Sequence, residues 1–172
     1  MKYVKPLNMF RDILKSKVLE RSRLLGLDVG DRYVGLAVSD SKNKIASPLC
    51  VLVRKKGNID LVVGDLQSLV SEFNLKGFIV GYPSNRQQNT PDAMQVKLFI
   101  EELSKTGKLE GVEYTYWEEC FTSKNVELFL KPLKKTLTQY EAKTFLDKFA
   151  AVGILQEYLD KVNRKVKLEA NK

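Results

Sequence analysis

Histidine does not occur anywhere in the 172 residues. That absence excludes a Ser-His-Asp triad, a Cys-His dyad, histidine zinc ligands and an imidazole general base. Cysteine is nearly absent too: Cys50 and Cys120 are the only two, too few for a zinc knuckle or a disulfide scaffold. They read as free thiols of a reducing compartment. No stretch approaches the ~18 uninterrupted apolar residues of a membrane span, so no membrane partner is expected. Neither an internal repeat nor a low-complexity linker interrupts the chain. The chemistry left open uses carboxylates, hydroxyls, amines or bound ions.

Hydrophobic residues make up 44% of the chain and charged residues 29%, an ordinary globular composition. The length suits one domain with a core of its own. Lys and Arg number 29 against 21 Asp and Glu, a net charge of +8. A small basic protein suits a polyanion, because each neutralised phosphate releases condensed counterions.

Residues 1–23 hold seven cations against two acids. Phe10, Ile13, Leu14 and Val18 recur there at helical spacing, which predicts a short amphipathic helix. The segment lacks the apolar core of a signal peptide, so residues 1–21 read as a basic extension of a cytoplasmic protein, with organelle targeting as the alternative. Strand patterns follow: Leu24–Asp28, Tyr33–Ser39 and Ile45–Val53, joined by short polar connections of hairpin length. Pro48 suits an edge strand or a bulge. These three predict an antiparallel meander. The second half alternates. Ile59–Phe73 has helical periodicity, Gly77–Gly81 is a short buried strand, and Asp92–Ser104 is a helix capped by Thr90 with Pro91 at its first position. Val112–Trp117 is a strand. Thr122 or Ser123 caps a helix through Leu130, stopped by Pro132, and Thr138 caps a long helix to about Lys161. A meander followed by β-α-β units implies a mixed five-stranded sheet with helices on both faces. One domain then covers 22–163, with a basic tail over 164–172.

Three acidic positions stand out. Asp28 ends the first strand of the meander between Gly26 and Gly30, where aspartate is disfavoured and a buried carboxylate is costly unless paired or metal-bound; the alternative is an aspartate that shapes a hairpin turn. Asp147 shares a helical stripe with Ala151, Ile154 and Tyr158, which should face the sheet; Lys143, one turn earlier, could be its partner instead. Glu118 and Glu119 follow a strand at its carboxyl end, where sites form in α/β sheets. Alternation lets only one of them share a given face, and an acidic first helical turn is the alternative. Carboxylates on two strand ends and a packed helix suggest an all-oxygen site for Mg²⁺ or Mn²⁺. On a polyanion binder, such a site implies two-metal phosphodiester hydrolysis.

Gly26-Leu27-Asp28-Val29-Gly30-Asp31-Arg32-Tyr33-Val34-Gly35 through Asp40 resembles the opening motif of the YqgF family. Ile79-Val80-Gly81-Tyr82-Pro83-Ser84-Asn85 is similar to its Val-Gly-Leu-Pro-x-Asn segment. Glu118-Glu119-Cys120-Phe121-Thr122-Ser123 aligns with its Asp-Glu-Arg-Leu-Thr-Thr segment, and Asp147-Lys148-Phe149-Ala150-Ala151 opens a helix like its closing one. The family comprises RNase H-like proteins described as Holliday junction resolvases and as nucleases maturing the 5′ end of pre-16S rRNA. The resemblance implies an RNase H-like fold over 22–163. It implies Asp28, Glu119 and Asp147 as catalytic and metal-binding residues, Gly30, Asn85 and Thr122 as substrate contacts, and structured RNA or branched DNA as partner. Glu118 stands where the family has aspartate, Cys120 where it has arginine, and Asn85-Arg86-Gln87-Gln88 lacks the family's turn glycine. A thiol cannot clamp a phosphate as guanidinium does, so a nucleic-acid binder without catalysis is a second reading. The Asp28 hairpin also resembles the phosphate-binding hairpin of actin- and sugar-kinase-like ATPases, but those enclose nucleotide between two such domains and this chain has room for one.

Overall fold

Leu24, Leu25 and Leu27 alternate between two faces of one strand, yet all three are fully buried. A strand buried on both faces needs neighbours on each side and helices above and below. The computed structural model of the chain, which describes residues 1–15, 21–83, 90–119 (Glu119 by its backbone alone) and 138–172, gives it both. Six strands form one sheet: β1 (Lys2–Tyr3), β2 (Arg23–Val29), β3 (Tyr33–Ser39), β4 (Ala46–Val53), β5 (Leu75–Pro83) and β6 (Glu113–Glu119), in the order β1-β6-β5-β2-β3-β4. β2, β3 and β4 are the antiparallel meander, while β1, β6, β5 and β2 run parallel. The described helices are α1 (Pro6–Lys15), α2 (Ile59–Phe73), α3 (Pro91–Lys105) and α4 (Gln139–Ala170).

Two cores result, one on each face. Leu25, Leu27 and Val29 pack with Val63, Leu66, Phe99 and Leu103 of α2 and α3. Leu24, Ala37 and Ile79 pack with Met9, Phe10 and Ile13 of α1 and with Ala151, Leu155 and Tyr158 of α4. Pro48 sits as its chemistry demands, on the edge strand β4 beside a register shift against β3. Thr90 Oγ1 accepts from the Ala93 amide at 3.2 Å. Thr138 and Glu141 form a reciprocal capping box that starts α4. Cys50 is a free thiol, and burial pushes its pKa up.

The sheet has six strands rather than five. β1 is only two residues long, and both are exposed, so no hydrophobic period could announce it. Its pairing comes from β6: the Lys2 amide donates to Val112 at 3.1 Å and the Val4 amide to Tyr114 at 2.9 Å. The predicted amphipathic helix is α1, and Met9, Phe10 and Ile13 make it part of the core. Some of the segment's positive charge is spent internally, in pairs Arg11–Glu169 and Lys15–Asp12, each at 2.7 Å. α4 continues through the residues read as a basic tail, to Ala170. The helix expected over Thr122–Leu130 lies outside the described residues, as does Cys120. No described helix is long and apolar enough to cross a membrane.

Candidate active site

The parallel strands β2, β5 and β6 end side by side at Val29, Pro83 and Glu119. Asp28 is half-buried at the penultimate position of β2, directly opposite Gly35 of β3. The two glycines of this pair of strands bring α4 down onto the sheet. A Cβ at Gly26 would stand 2.8 Å from Leu155 Cβ and 2.9 Å from the Ala151 carbonyl oxygen. A Cβ at Gly35 would fall within the backbone carbonyl of Asp147. Only glycine permits this approach, so the cross-strand partner of Asp28 also seats the helical turn that carries Asp147.

Asp28 and Asp147 consequently line one cleft of about 380 Å³, with Gly30, Pro83, Asp92 and Lys143 among its walls. Asp147 is 8% exposed. Its Oδ1 lies 3.3 Å from Lys143 Nζ, so the helical pairing anticipated from spacing does form. Its Oδ2 is buried and has no hydrogen-bond donor among the described residues. Burial pushes the Asp147 pKa up, and Lys143 opposes the rise without cancelling it. Among the described residues the carboxylate is thus half satisfied: one oxygen is paired on the helix, and the other is held in the interior without a donor. A buried acceptor left in this state costs ~1–3 kcal/mol.

The other predicted residues fall as follows. The backbone of Glu119 ends β6 and pairs in register with Pro83, itself a wall of the cleft. Glu118 is exposed and pairs in register with Tyr82. Gly30 lines the cleft, and its turn is fixed from both sides: its amide donates to the Tyr33 carbonyl at 2.9 Å, and its carbonyl accepts from Arg54 Nη1 at 2.7 Å. The same guanidinium stacks on Phe99, 4.6 Å from the ring centroid. Asn85 and Thr122 lie outside the described residues.

Asp92 and Arg54 escaped the sequence reading. Asp92 occupies the first turn of α3 and was hidden inside the Thr90-Pro91 capping signature. The connection offered a signal: α3 follows β5, whose carboxyl end opens on the cleft. Arg54 gave none, because its role depends on the fold that brings Gly30 and Phe99 to it.

The donor set suits a hard divalent cation, since it consists of carboxylate oxygens, one of them buried with no donor among the described residues. Among the described residues, no group of three Asp, Glu, Cys or His side chains is gathered closely enough to hold a metal ion by itself. Asp28 and Asp147 supply two acidic walls, and the carboxyl end of β6 adjoins them through Pro83.

Comparison with known proteins gives the following. The model of the RuvX family, described as Holliday junction resolvase, matches residues 22–161. The chain is 36% identical over 143 residues to a protein of Caldicellulosiruptor bescii named "Putative pre-16S rRNA nuclease", covering 82% of this chain and 98% of that one. It is 34% identical over 139 residues to a protein of the same name from Syntrophomonas wolfei, covering 80% and 94%. Among solved structures it is similar to T. thermophilus RuvC in complex with a Holliday junction substrate. That likeness has a TM-score of 0.51 at 15% identity, over 83% of this chain and 96% of the other, and bears on the fold, which is RNase H-like.

Proposed function

Since the chain belongs to the RuvX (YqgF) family of nucleases, we propose that the cleft between Asp28 and Asp147 is the active site of a divalent-metal-dependent endonuclease that hydrolyses phosphodiester bonds in RNA, in maturing the 5′ end of a pre-16S-type ribosomal RNA. One observation carries this reading: Asp147, whose buried Oδ2 has no donor among the described residues, lines the same cleft as Asp28. A solely structural aspartate on this stripe would have both oxygens satisfied or be exposed.

The residues that would hold Mg²⁺ or Mn²⁺ are Asp28, Asp147 and Glu119, the last being the acidic residue that follows Thr115 and Trp117 at the two-residue period of β6. When bound, such cations supply Lewis-acid charge that makes water a stronger nucleophile and offsets charge on the leaving oxygen. The chain's own part is to fix two carboxylates on rigid elements, β2 and α4. Lys143, half-exposed at the cleft mouth, neutralises Asp147 when the site is empty and is placed to meet an incoming phosphate. Water adds to phosphorus, the bridging P–O bond breaks, and the leaving oxygen takes up a proton. Gly30, buttressed by Arg54, holds the β2–β3 turn at the rim; Asn85 and Thr122 are the further substrate contacts in this reading.

The family description favours a second reading, cleavage of branched DNA. One assay separates the two: purified protein with Mg²⁺ or Mn²⁺, offered a pre-16S-type RNA and a four-way DNA junction, beside Asp28→Asn. Cleavage of the RNA alone, lost in the variant, is the expected result. Cleavage of the junction alone moves the substrate to DNA. Binding without cleavage of either makes the protein a non-catalytic member.

A further inference from the structure

Four tyrosines form a continuous strip across three strands on the face opposite α1 and α4. Tyr3 of β1 meets Tyr114 of β6 with ring centroids 5.8 Å apart and stacks on Tyr116 at 6.2 Å. Tyr114 and Tyr116 are 5.7 Å apart, and Tyr116 lies 5.3 Å from Tyr82 of β5. Core-facing positions of a buried strand ordinarily carry aliphatic residues. Among the described elements, α2 and α3 make their main sheet contacts with β5, and α1 and α4 are the helices that pack most on β6, on the other face. The tyrosine edges are left partly exposed, and Tyr3 is 50% exposed. Tyr82, Tyr114 and Tyr116 bury one side against the α2/α3 core and stay partly accessible, and Tyr3 extends the strip to the exposed strand β1. Burial and the neighbouring tyrosines push the Tyr116 hydroxyl up to about 12, so its ring stays neutral.

The strip is continuous with the cleft. Tyr82 precedes Pro83, a wall of the cleft, and Lys97 of α3 stands 5.6 Å over the Tyr82 ring, next in sequence to Val96, another wall. β1, which carries Tyr3, lies outside residues 22–161 of the family match. We propose that the strip is a stacking platform for unpaired bases of a single-stranded segment of the nucleic acid whose backbone is cut in the adjoining cleft; what happens in the cleft rests on the nuclease reading above. Aromatic rings on a sheet face stack splayed bases without regard to sequence. Lys97 beside the Tyr82 ring supplies a cation for the phosphates, and the exposed Glu118, in register with Tyr82 and on the face of Tyr114 and Tyr116, marks the end of the strip along β6.

Fluorescence anisotropy in EDTA tests this with cleavage suppressed. The probes are a labelled single-stranded RNA of about ten nucleotides, the same strand with abasic riboses, and the matching duplex. The full-length protein should prefer the base-bearing single strand to the other two. Tyr82→Leu and Tyr116→Leu should each weaken that binding on the order of 5- to 150-fold, while the corresponding Tyr→Phe variants retain it. Tyr3→Ala, at an exposed position, should also weaken it and keeps the test decisive if a Leu variant fails to fold. Equal affinity for base-bearing and abasic strands, or no binding of either, overturns the platform. So does unchanged affinity in Tyr3→Ala and Tyr82→Leu proteins that melt normally. A dimer that Tyr3→Ala dissociates, with oligonucleotide binding intact, would reassign the strip to a second copy of the chain. Base-dependent binding lost in the variants of a protein that cuts nothing with Mg²⁺ would sink the nuclease reading and leave the platform standing.

Discussion

Replacing Asp147 by Asn separates a ligand from a structural aspartate. Burial raises the carboxyl pKa above its ordinary value of 3.8. Below 3.8 both the native and the unfolded chain hold the proton, and the residue costs nothing. Between 3.8 and the raised native value, the native state keeps a proton that the unfolded chain has released, so native stability falls as pH rises. Above that window the cost of the buried charge is complete. At neutral pH the buried charge, its Oδ2 without a donor among the described residues, costs ~1–3 kcal/mol more than a neutral amide in the same place. The Lys143 pair returns at most ~0.3–0.5 kcal/mol, discounted because the Lys143 side chain is 56% exposed. Asp147→Asn in EDTA should therefore be more stable than the parent by about 1–2 kcal/mol. For a chain of this size, that raises Tm by roughly 2–8 °C. The gain should vanish in melts near pH 3, where the parent carboxyl is protonated in both states. Mg²⁺ at ten times its Kd stabilises a protein that binds it by about 1.4 kcal/mol, or roughly 3–6 °C. The parent should show this shift and the variant little of it, with Mg²⁺-dependent cleavage abolished. Circular-dichroism melts in EDTA and in Mg²⁺ read all of these. A variant that is less stable in EDTA, or that shifts with Mg²⁺ as far as the parent and still cleaves, refutes the reasoning.

Gly35→Ala should cost ~1–3 kcal/mol and depress cleavage together, because its Cβ can be accommodated only by lifting the Asp147 backbone away from β3; urea midpoints and turnover check it. Gly64→Ala is the contrast: it lies within α2, where a Cβ meets nothing within 4 Å, so it should stabilise by ~0.5–1 kcal/mol and leave cleavage alone. Lys143→Met removes the cation that opposes the rise of the Asp147 pKa, so the acidic limb of the pH–rate profile should move to higher pH; an unmoved limb would mean that Asp147 does not set it. Ile13→Ala, at a position 2% exposed, should cost ~2–5 kcal/mol in denaturant titrations; a negligible loss would show that α1 is an appended arm after all.

Local patterns were legible where one element states its own case. The period of 3.6 over Ile59–Phe73 and the capping signatures at Thr90 and Thr138 correspond to α2, α3 and α4. The alternation of the first half became the meander, with Pro48 at its outer edge. β1 was not legible, because two exposed residues carry no period and acquire a strand conformation only from the open edge of β6. The positive charge of the first residues was legible as charge, but its destination was not: Arg11 finds Glu169 from the far end of the chain, and the apolar side of α1 finds the sheet.

The acidic site divides in the same way. That Asp28 ends a strand and that Asp147 lies on a sheet-facing stripe follow from sequence, because strand and helix periodicities are set by backbone geometry within a few residues. Whether Asp147 belonged to Lys143 or to a site was undecidable there, since both partners are compatible with the spacing. The tertiary structure divides the carboxylate: one oxygen pairs with Lys143, the other is buried with no donor among the described residues, and the residue lines one cleft with Asp28. Gly35 makes that possible: it is a routine strand residue in the sequence, and only the pairing of β3 with β2 and the descent of α4 reveal that its missing Cβ is the space in which the two aspartates are brought together. Periodicity is local and can be read along a chain, whereas the distance between residues 28 and 147 is a property of how the elements pack.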